Sequence, residues 1–392
     1  MRILFVSTWF PYPPSNGSKL RVFNLLQGLA ARHQVTLVTF AQAQDHAGVA
    51  ALRPFCREVH LVPWKPYQPA SFGARLGFLR LMPRSLAGTY VPEMAHCLRR
   101  VLSAEDHDLV IASQFGAARY SACFRGYPAV FEEVELGVLY QQYVGAPSIR
   151  YRLRNGLTWW KHRRYLKRVL SDYAACTVAS EQERRLMAQA VPGYRSVELV
   201  PNCVNVADYA AVRETPEPNS LIFTGSFRYF ANHEAMTWFL DQVYSQIQAS
   251  IPEVRLTITG DHADLPLPPA TNVTLTGLID DVRPRVGRAW CSVVPIQSGG
   301  GTRLKILEAM ALGTPVVTTS KGAEGLDAEH DRHLLIADSP QAFAEAVVRL
   351  LCTPELRQRL AAAAYALVSE RYDWGAMMPR FLGFLDRLIP TA

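Results

Sequence analysis

Short β-branched runs alternate with helical stretches along nearly the whole sequence of 392 residues. Such an order is typical of parallel sheets whose strands are joined by helices that cover both faces. In the first half, strand-like runs lie at 3–8, 35–40, 59–64, 108–113, 129–134, 173–180 and 196–202. Helical stretches lie at 19–31 and about 156–170. The first half is therefore predicted to be an α/β domain.

The alternation is interrupted around 205–220, where the sequence is polar, carries two prolines and shows no periodicity. We interpret this segment as a linker. A second series follows, with strands at 221–225, 254–260, 272–277, 289–295, 315–320 and 333–337, helices near 232–248, 302–312 and 340–352, and a helical stretch at 354–390.

Two doubly wound α/β domains of similar size are therefore predicted. One spans 1–205 and includes a C-terminal helix at about 372–392, and the other spans 206–371. Open α/β sheets bind ligands beyond the carboxyl ends of their strands. Both domains are therefore expected to face a central cleft with their strand ends.

The composition, with 49% hydrophobic and 19% charged residues, is that of a globular protein. No apolar run reaches the roughly 18–20 residues that cross a bilayer. The first ten residues lack the small-residue cleavage site of a signal peptide, which favours a cytoplasmic protein. The seven cysteines include no CxxC pair, so they indicate core thiols and neither a zinc site nor a disulfide framework.

The excess positive charge of the chain, +7 in all, is concentrated in residues 150–168. This segment contains eight Lys or Arg residues, no acid, and the pair Trp159 and Trp160. One interpretation is a solvated helix face with both tryptophans in the core. The other is peripheral contact with an anionic membrane, because tryptophan suits the interface and cations attract acidic headgroups. Nucleic acid binding is the least favoured interpretation.

The segment 289–320 predicts a strand–helix–strand unit whose helix has clear boundary signals. Thr302 is at the predicted N-cap, Gly313 follows the last turn, and Pro315 lies just beyond it. A helix start between two strands is a place where ligands of α/β proteins bind.

Glycines and cations surround this predicted helix start. Gly299, Gly300 and Gly301 precede it, and because they have no Cβ they let a ligand approach the backbone. The unpaired N–H groups of the first turn attract a phosphate. Arg303 and Lys305 lie in the same turn, where two cations oppose the helix dipole unless an anion is bound. The pattern predicts a diphosphate site gripped by both cations.

Glu308 lies three residues beyond Lys305, on the same helix face. Helical side chains lean toward the N-terminus, so its carboxylate is expected to point toward the ligand. A carboxylate one turn below a phosphate site is placed to accept hydrogen bonds from a ribose diol.

IQSGGGTRLKILEAMALGTPVVTT, at the end of this segment, resembles the nucleotide-sugar signature of the GT-B retaining glycosyltransferases of family 4, also called group 1. Four further stretches resemble other parts of that family: MRILFVSTWFPYPPSNGSKLRVFNLLQGLA, LVPNCVNVADY (199–209), FTGSFRYFANHEA (223–235) and TGLIDD (276–281). The resemblance implies the GT-B fold, two Rossmann-like domains, over nearly the whole chain.

The resemblance also implies roles for individual residues. Glu308 matches the second glutamate of the family's E-x7-E motif, which binds the donor ribose. Arg303 and Lys305 would be catalytic, since they neutralise the diphosphate as it leaves. Gly17 matches the glycine of an N-terminal loop that lies against the donor phosphates. Arg228 lies in a loop where family members place a diphosphate-binding arginine.

Two positions depart from the family pattern. Gly300 stands where the first glutamate of E-x7-E contacts the transferred sugar, so backbone N–H groups are an alternative for that contact. Ser113 and Gln114 stand where a histidine is common. Glu133 and Glu135 follow the next predicted strand, either facing the cleft or as surface acids.

The function implied by the resemblance is sugar transfer from a UDP- or GDP-sugar to a glycan or lipid-linked acceptor. It would proceed with retention of anomeric configuration and without metal or cofactor. Its setting would be polysaccharide or glycolipid assembly in the cytoplasm or at the inner membrane face. Alternatives are a nucleotide-sugar epimerase and a non-catalytic nucleotide-sugar-binding protein. A metal-dependent transferase would need the Asp106-His107-Asp108 pattern, which precedes a strand instead of following one.

Overall fold

The computed structural model describes residues 1–65, residue 68 and residues 81–389. The chain divides into two compact units. Unit 1 comprises Met1–Pro201 and Met378–Ala392, and unit 2 comprises Asn202–Met377. The last three residues of the predicted C-terminal helix, 390–392, lie outside the described residues.

Unit 1 contains a parallel sheet of seven strands in the order β3-β2-β1-β4-β5-β6-β7. These strands are β1 (Arg2–Ser7), β2 (Gln34–Ala41), β3 (Glu58–Pro63), β4 (Leu109–Ser113), β5 (Ala129–Glu132), β6 (Ala175–Val178) and β7 (Val197–Leu199). Strands β1, β4 and β5 are almost continuously apolar and buried, because helices cover both faces of the sheet. The strand order reverses between β1 and β4, which lie side by side.

Eight helices connect these strands in the described part of unit 1 before residue 201. They are α1 (Gly17–Ala30), α2 (Val49–Leu52), α3 (Arg84–Gly88), α4 (Pro92–Ala104), α5 (Gln114–Ala118), α6 (Gly137–Val144), α7 (Ile149–Val169) and α8 (Glu181–Ala190). The side chains of Asn16, Ser148 and Ser180 cap α1, α7 and α8 by accepting a hydrogen bond from a first-turn N–H. Helix α7 begins seven residues earlier than predicted, because Ser148 supplies this cap.

Unit 2 contains a parallel sheet of six strands in the order β10-β9-β8-β11-β12-β13. Its strands are β8 (Glu217–Thr224), β9 (Arg255–Thr259), β10 (Val273–Gly277), β11 (Ala289–Val294), β12 (Val316–Thr318) and β13 (Leu335–Ile336). Its helices are α9 (Val206–Ala210), α10 (Phe230–Trp238), α11 (Tyr244–Ser250), α12 (Arg283–Arg288), α13 (Leu304–Ala311), α14 (Pro340–Cys352) and α15 (Pro354–Arg371), and a π-helical segment, Phe239–Val243, joins α10 to α11. Both sheets thus have the doubly wound order that the sequence predicts.

The final helix, α16 (Trp374–Leu388), contributes to unit 1 from Met378 onward. There Met378 contacts Gly28 of α1, and Arg32 forms an ion pair of 3.2 Å with Asp386. The predicted helical stretch 354–390 is therefore two helices. Between these two helices the chain pairs with the segment around Val204. The Val204 N–H donates to the Tyr372 carbonyl, and the Trp374 N–H donates to the Val204 carbonyl.

The prediction of a linker at 205–220 is wrong. Helix α9 lies within it, and β8 begins at Glu217, four residues before the predicted strand. The prolines suggested a linker, but Pro218 lies inside strand β8, beside an irregularity in the pairing of β8 with β11. Asn219, with a φ of 54°, follows it. A bulge of this kind tolerates a proline inside a sheet.

All seven cysteines are free, and five of them are buried, as expected for core thiols. Cys123 is half-buried and Cys352 is exposed. In the described part of the chain, no helix combines the length and apolar character needed to cross a bilayer.

A buried ion pair crosses the carboxyl edge of the unit 1 sheet. Arg21 of α1 donates through Nε to Glu132 Oε1 at 2.6 Å and through a terminal nitrogen to the Pro201 carbonyl at 3.1 Å. Ser113 Oγ donates to the other Glu132 oxygen at 2.7 Å. Arg21 and Glu132 are 2% and 0% exposed, so this charge pair is stable only while both partners are present.

We predict that Glu132→Gln lowers the free energy of unfolding of unit 1 by about 3 kcal/mol, because it removes one charge of a buried pair. The matched control is Glu329→Gln, which breaks the exposed pair with Arg332 and should change stability by less than about 1 kcal/mol. Urea unfolding at pH 7 measures both. An equal, small effect of the two substitutions would contradict the stabilising role of the buried pair.

Candidate functional site

The strand order of unit 2 reverses between β8 and β11, so the connections that leave these two strands diverge. This is the point at which doubly wound sheets bind ligands. Two glycine-containing loops follow the strands here: Gly225 comes directly after β8, and Gly299–Gly301 come after β11. Three of the predicted donor-binding glycines, Gly299, Gly300 and Gly301, therefore lie at the reversal point.

Gly225 and Gly299 must be glycines for reasons of space and of conformation. Gly299 has a φ of 88°, and a Cβ there would collide with the Tyr229 hydroxyl. Gly225 has a φ of 149°, and a Cβ there would lie 2.7 Å from Lys305 Nζ and 2.7 Å from Asn232 Nδ2. Only glycine combines these backbone conformations with such close approach.

The helix after the glycine loop begins at Leu304, and its N-cap is Arg303. The prediction of Thr302 as the N-cap is wrong by one residue, and the Arg303 side chain makes no capping hydrogen bond to the first turn. The physical reason is that Arg303 has non-helical dihedrals, φ −82° and ψ 89°, while its guanidinium binds the loop that precedes it. Gly313, with a φ of 71°, follows the C-cap as predicted.

Arg303 is 7% exposed and holds the glycine loop. Its terminal nitrogens donate to the carbonyls of Gly300 at 2.7 Å and Ser298 at 3.2 Å. Its Nε is buried and has no hydrogen-bond partner in the part of the chain that the structure describes. No carboxylate of the described residues forms an ion pair with it. The charge of Arg303 is therefore not neutralised by the protein residues around it.

Lys305 is the second residue of α13, and its side chain bridges to α10. Nζ donates to Asn232 Oδ1 at 2.9 Å and lies 4.0 Å from the centroid of the Phe223 ring. Burial, together with repulsion by Arg303, lowers the pKa of Lys305 to about 7, and Glu308 only partly offsets this. The protein surroundings of Lys305 thus disfavour its charged form.

Glu308 lies one turn further along α13, and its Oε1 accepts a hydrogen bond from the Tyr209 hydroxyl at 3.2 Å. Burial raises the pKa of Glu308, and the Tyr209 hydrogen bond and the charge of Lys305 act in the opposite direction. Burial and the nearby Glu308 carboxylate likewise raise the pKa of Tyr209, so its hydroxyl stays a donor. Glu308 retains acceptor capacity for a second donor.

Arg228 occupies the loop after β8 as predicted, but its side chain is turned outward. It is 75% exposed at the side chain and forms a short ion pair with Asp261. The Arg228 N–H donates to Ser226 Oγ at 3.2 Å. In contrast to Arg303 and Lys305, this arginine has an acidic partner in unit 2.

Gly17 belongs to unit 1, where it is the first residue of α1, directly after its cap Asn16. Asp106-His107-Asp108 lies at the opposite end of the unit 1 sheet, ahead of β4, where Asp108 accepts a hydrogen bond of 2.6 Å from the N–H of Arg2. This placement does not fit the DxD motif of a metal-dependent transferase.

Three residues of the site were missed by the sequence analysis: Asn232, Phe223 and Tyr209. Asn232 and Phe223 contact Lys305, and Tyr209 contacts Glu308. All three lie within the stretches that carry the family resemblance, but no spacing rule connects them to α13. Their role follows only from the packing of the elements around β8.

Comparisons with known proteins agree with this architecture. Residues 15–208 match the family described as Glycosyltransferase Family 4, and residues 218–353 match that described as Glycosyl transferases group 1. An uncharacterized 44.6 kDa protein in the cps region of Klebsiella pneumoniae is 22% identical over 95% of this chain and 96% of that protein.

Two further proteins are similar. The phosphatidyl-myo-inositol mannosyltransferase of Mycobacterium leprae is 28% identical over 52% of this chain and 56% of that protein. The crystal structure of Anabaena HepE in complex with UDP and glucose covers 99% of this chain and 100% of that chain, with a TM-score of 0.67 and 15% identity.

The two doubly wound parallel sheets and these matches define the chain as a GT-B glycosyltransferase. It belongs to the group 1 glycosyl transferases, glycosyltransferase family 4. The family resemblance expected from the sequence is thereby confirmed, as is the activity class, a glycosyltransferase.

We predict that Lys305→Met stabilises unit 2 at pH 6.5 by about 1–2 kcal/mol and much less at pH 9.5. The folded pKa is about 7 and the ordinary value is 10.5. The cost of the buried charge is therefore present in full below pH 7, and it is lost as the pH rises from 7 toward 10.5. Urea unfolding at both pH values measures the difference. The exposed Lys167→Met serves as control, and a gain that is equal at both pH values would contradict the lowered pKa.

Proposed function

We propose that unit 2 binds a UDP- or GDP-sugar at the reversal point between β8 and β11, and that the enzyme transfers the sugar to a glycan or lipid-linked acceptor. One observation carries the proposal: Arg303 and Lys305 lie together behind a glycine loop, with no acidic partner in ion-pair contact among the described residues. Two such cations need an anion, and a diphosphate is an anion of suitable charge and size.

The state of Lys305 supports an anionic ligand. A bound anion would compensate the burial that lowers the pKa of this lysine and would restore its charge. The Arg303 Nε would then have an acceptor for its hydrogen bond. Anabaena HepE, which is similar in fold, was solved with UDP and glucose bound, and this supports a nucleotide sugar as the donor.

Glu308 would accept hydrogen bonds from the ribose hydroxyls. Its carboxylate is oriented by Tyr209, which occupies one acceptor position and leaves others for a diol. At the position where the family has its sugar-binding acid, this chain has Gly300, whose carbonyl is engaged by Arg303. Backbone N–H groups of the loop would therefore make that contact with the transferred sugar.

The mechanism that we propose, as the family resemblance implies, is transfer with retention of configuration and without a metal ion. As the bond from the sugar to the diphosphate breaks, negative charge builds on the leaving oxygen. Arg303 and Lys305 stabilise this charge from a fixed position. The same oxygen accepts the proton of the acceptor hydroxyl on the same face of the sugar. The protein contributes positioning and charge, and no protein base is required.

We predict that one nucleotide sugar among UDP-, GDP- and ADP-sugars binds in the presence of EDTA, as measured by calorimetry. Arg303→Ala and Glu308→Ala should weaken this binding by at least tenfold, because each removes a contact to the donor. The control Arg285→Ala changes an exposed arginine of the same unit and should bind as the native protein does. No binding of any donor would refute the proposal.

Turnover separates the proposal from its alternatives. We expect Lys305→Ala to lower kcat by about 30-fold to 1,000-fold, comparable to the loss of an oxyanion donor. The donor dissociation constant should change far less. Equal losses in turnover and binding would refute transition-state stabilisation. Donor consumed without acceptor to give an isomerised sugar would indicate an epimerase, and binding without turnover would indicate a binding protein.

We further propose that α7 contacts an anionic membrane surface. Ile149, Leu153, Leu157 and Trp160 follow one another at intervals of four, four and three residues, which places them on one face of the helix. They are 73%, 70%, 45% and 48% exposed. The opposite face of the helix contributes Trp159, Leu166 and Val169 to the core. The interpretation with both tryptophans in the core is therefore wrong for Trp160.

Exposed arginines flank this apolar stripe, namely Arg150, Arg152, Arg154 and Arg164. A helix with an apolar outward stripe and a cationic border fits the interface of a bilayer. Each cation near an anionic surface contributes about 1 kcal/mol.

We predict that the protein binds vesicles containing phosphatidylglycerol at low salt and not vesicles of phosphatidylcholine alone, as measured by cosedimentation. Leu153→Ser with Leu157→Ser should weaken binding at least fivefold, because the apolar stripe is lost. The control pair, Leu265→Ser with Leu278→Ser, changes exposed leucines of unit 2 and should have no effect. If the vesicles bound both double variants equally well, α7 would be excluded as the membrane contact.

A further inference from the structure

Two exposed tryptophans lie side by side at the carboxyl edge of the unit 1 sheet. Trp9 follows β1 by two residues, and Trp64 directly follows β3. Their ring centroids are 6.4 Å apart, the ring planes are tilted by 36°, and the residues are 37% and 36% exposed. Exposed aromatic rings at the edge of a sheet where ligands bind are candidates for a binding surface.

Gln114 fixes one of these rings and connects it to an acid. The Trp9 indole N–H donates to Gln114 Oε1 at 2.8 Å, and Gln114 Nε2 donates to Glu133 Oε2 at 2.8 Å and to Ser18 Oγ at 3.2 Å. An indole is only a donor and a carboxylate only an acceptor, so the amide has one orientation. Gln114 thus aligns the Trp9 ring with the Glu133 carboxylate.

Glu133 directly follows β5, next to the buried Glu132. Its backbone N–H donates to Thr177 Oγ1 at 2.9 Å, and its Oε1 lies 3.6 Å from Arg21 Nε, whereas Glu132 is 2.6 Å from the same nitrogen. Arg21 therefore serves mainly Glu132. The side chain of Glu133 is 12% exposed and retains acceptor capacity toward solvent.

The protonation of Glu133 is sensitive to its surroundings. Burial raises its pKa to about 7, against the attraction of Arg21, and the neighbouring Glu132 and Glu135 carboxylates raise it further while the Gln114 hydrogen bond lowers it. Gln114 and Glu133 also have left-handed backbones, with φ of 65° and 59°. Such conformations are held in place by the surrounding contacts.

We propose that Trp9, Trp64 and Glu133 form a saccharide-binding site in unit 1 that takes a neutral pyranoside, with Gln114 as the positioning residue. A pyranose ring has an apolar face of C–H groups, which packs on an aromatic ring, and hydroxyls at its rim, which donate to a carboxylate. Saccharide binding stands on this geometry alone, whereas the role of the saccharide as acceptor rests on the proposed function.

Charge distinguishes this ligand from a nucleotide. Of the four residues that form this site, Trp9, Trp64, Gln114 and Glu133, only Glu133 is ionisable. The charged groups that act on it are Arg21, which Glu132 engages at 2.6 Å, and the Glu132 and Glu135 carboxylates. A phosphate placed against Glu132, Glu133 and Glu135 would be repelled. A neutral ligand with hydroxyl donors is complementary to the site.

The test is saturation-transfer NMR on the full-length protein at pH 8, without donor, using the methyl α-glycosides of glucose, galactose and mannose as probes. We expect saturable binding of at least one glycoside. Trp9→Ala, Trp64→Ala and Glu133→Ala should each weaken it at least tenfold. Tyr365→Ala, which changes an exposed aromatic residue of unit 2, should leave it unchanged. Thermal melting followed by circular dichroism shows which variants are folded.

The pH profile tests the positioning role of Gln114. Native binding should weaken several-fold from pH 8 to pH 5.5, because a protonated Glu133 loses acceptor strength, and Glu133→Gln should show no such change. In Gln114→Leu the midpoint of the profile should move to higher pH, since the hydrogen bond that lowers the pKa of Glu133 is lost. An unmoved midpoint would refute the positioning role.

UDP binding, measured on the same samples, separates the two sites. Absence of binding by all three glycosides, or equal binding by native protein and the three site variants, would overturn the saccharide site. Loss of UDP binding in Trp9→Ala would overturn it as well, since the tryptophans would then serve the nucleotide. Glycoside binding without UDP binding would leave the saccharide site in place and refute the donor site instead.

Discussion

A parallel sheet whose strand order reverses once has a single position at which the connections leaving two adjacent strands go to opposite faces. In unit 2 this position lies between β8 and β11, and in unit 1 between β1 and β4. The divergence leaves backbone N–H groups and loop residues without a covering helix. The residues at and beside the ends of these strands are therefore open to a ligand, and the rest of each fold holds them in position.

The two units treat buried charge at this position differently. In unit 1, Arg21 and Glu132 compensate each other within the protein, with Ser113 and the Pro201 carbonyl as additional partners. In unit 2, the partners of these cations among the described residues are two loop carbonyls for Arg303 and one amide oxygen for Lys305. Removing charge from water without a counter-charge is costly, and this cost is the physical basis for the anion that we propose unit 2 binds. Unit 1 is complete without one.

Much of the unit 2 site could be predicted because its signals are local. The glycines, the cations and the helix boundaries lie within about fifteen residues of one another, where the rules for helix starts and close backbone approach apply. The N-cap was predicted at Thr302 instead of Arg303, because the local pattern does not reveal that the Arg303 guanidinium binds the preceding loop. The contacts of Lys305 with Asn232 and of Glu308 with Tyr209 join residues 73 and 99 positions apart, which no local pattern reveals. In unit 1 the same holds for Gln114, whose partners come from three separate parts of the chain.

Each unit has, beyond the carboxyl ends of its strands, one group whose pKa is about 7, and the two pKa values are shifted from their ordinary values in opposite directions. Burial and Arg303 remove the proton from Lys305, whereas burial and neighbouring carboxylates add one to Glu133. A ligand would change these balances in a direction set by its own charge: a bound anion would restore the ammonium of Lys305, and hydroxyl donors would restore the carboxylate of Glu133. At the two proposed sites, ligand binding to unit 2 would then take up a proton and ligand binding to unit 1 would release one. By linkage, raising the pH near neutrality would disfavour the proposed anionic ligand of unit 2 and favour the proposed neutral ligand of unit 1.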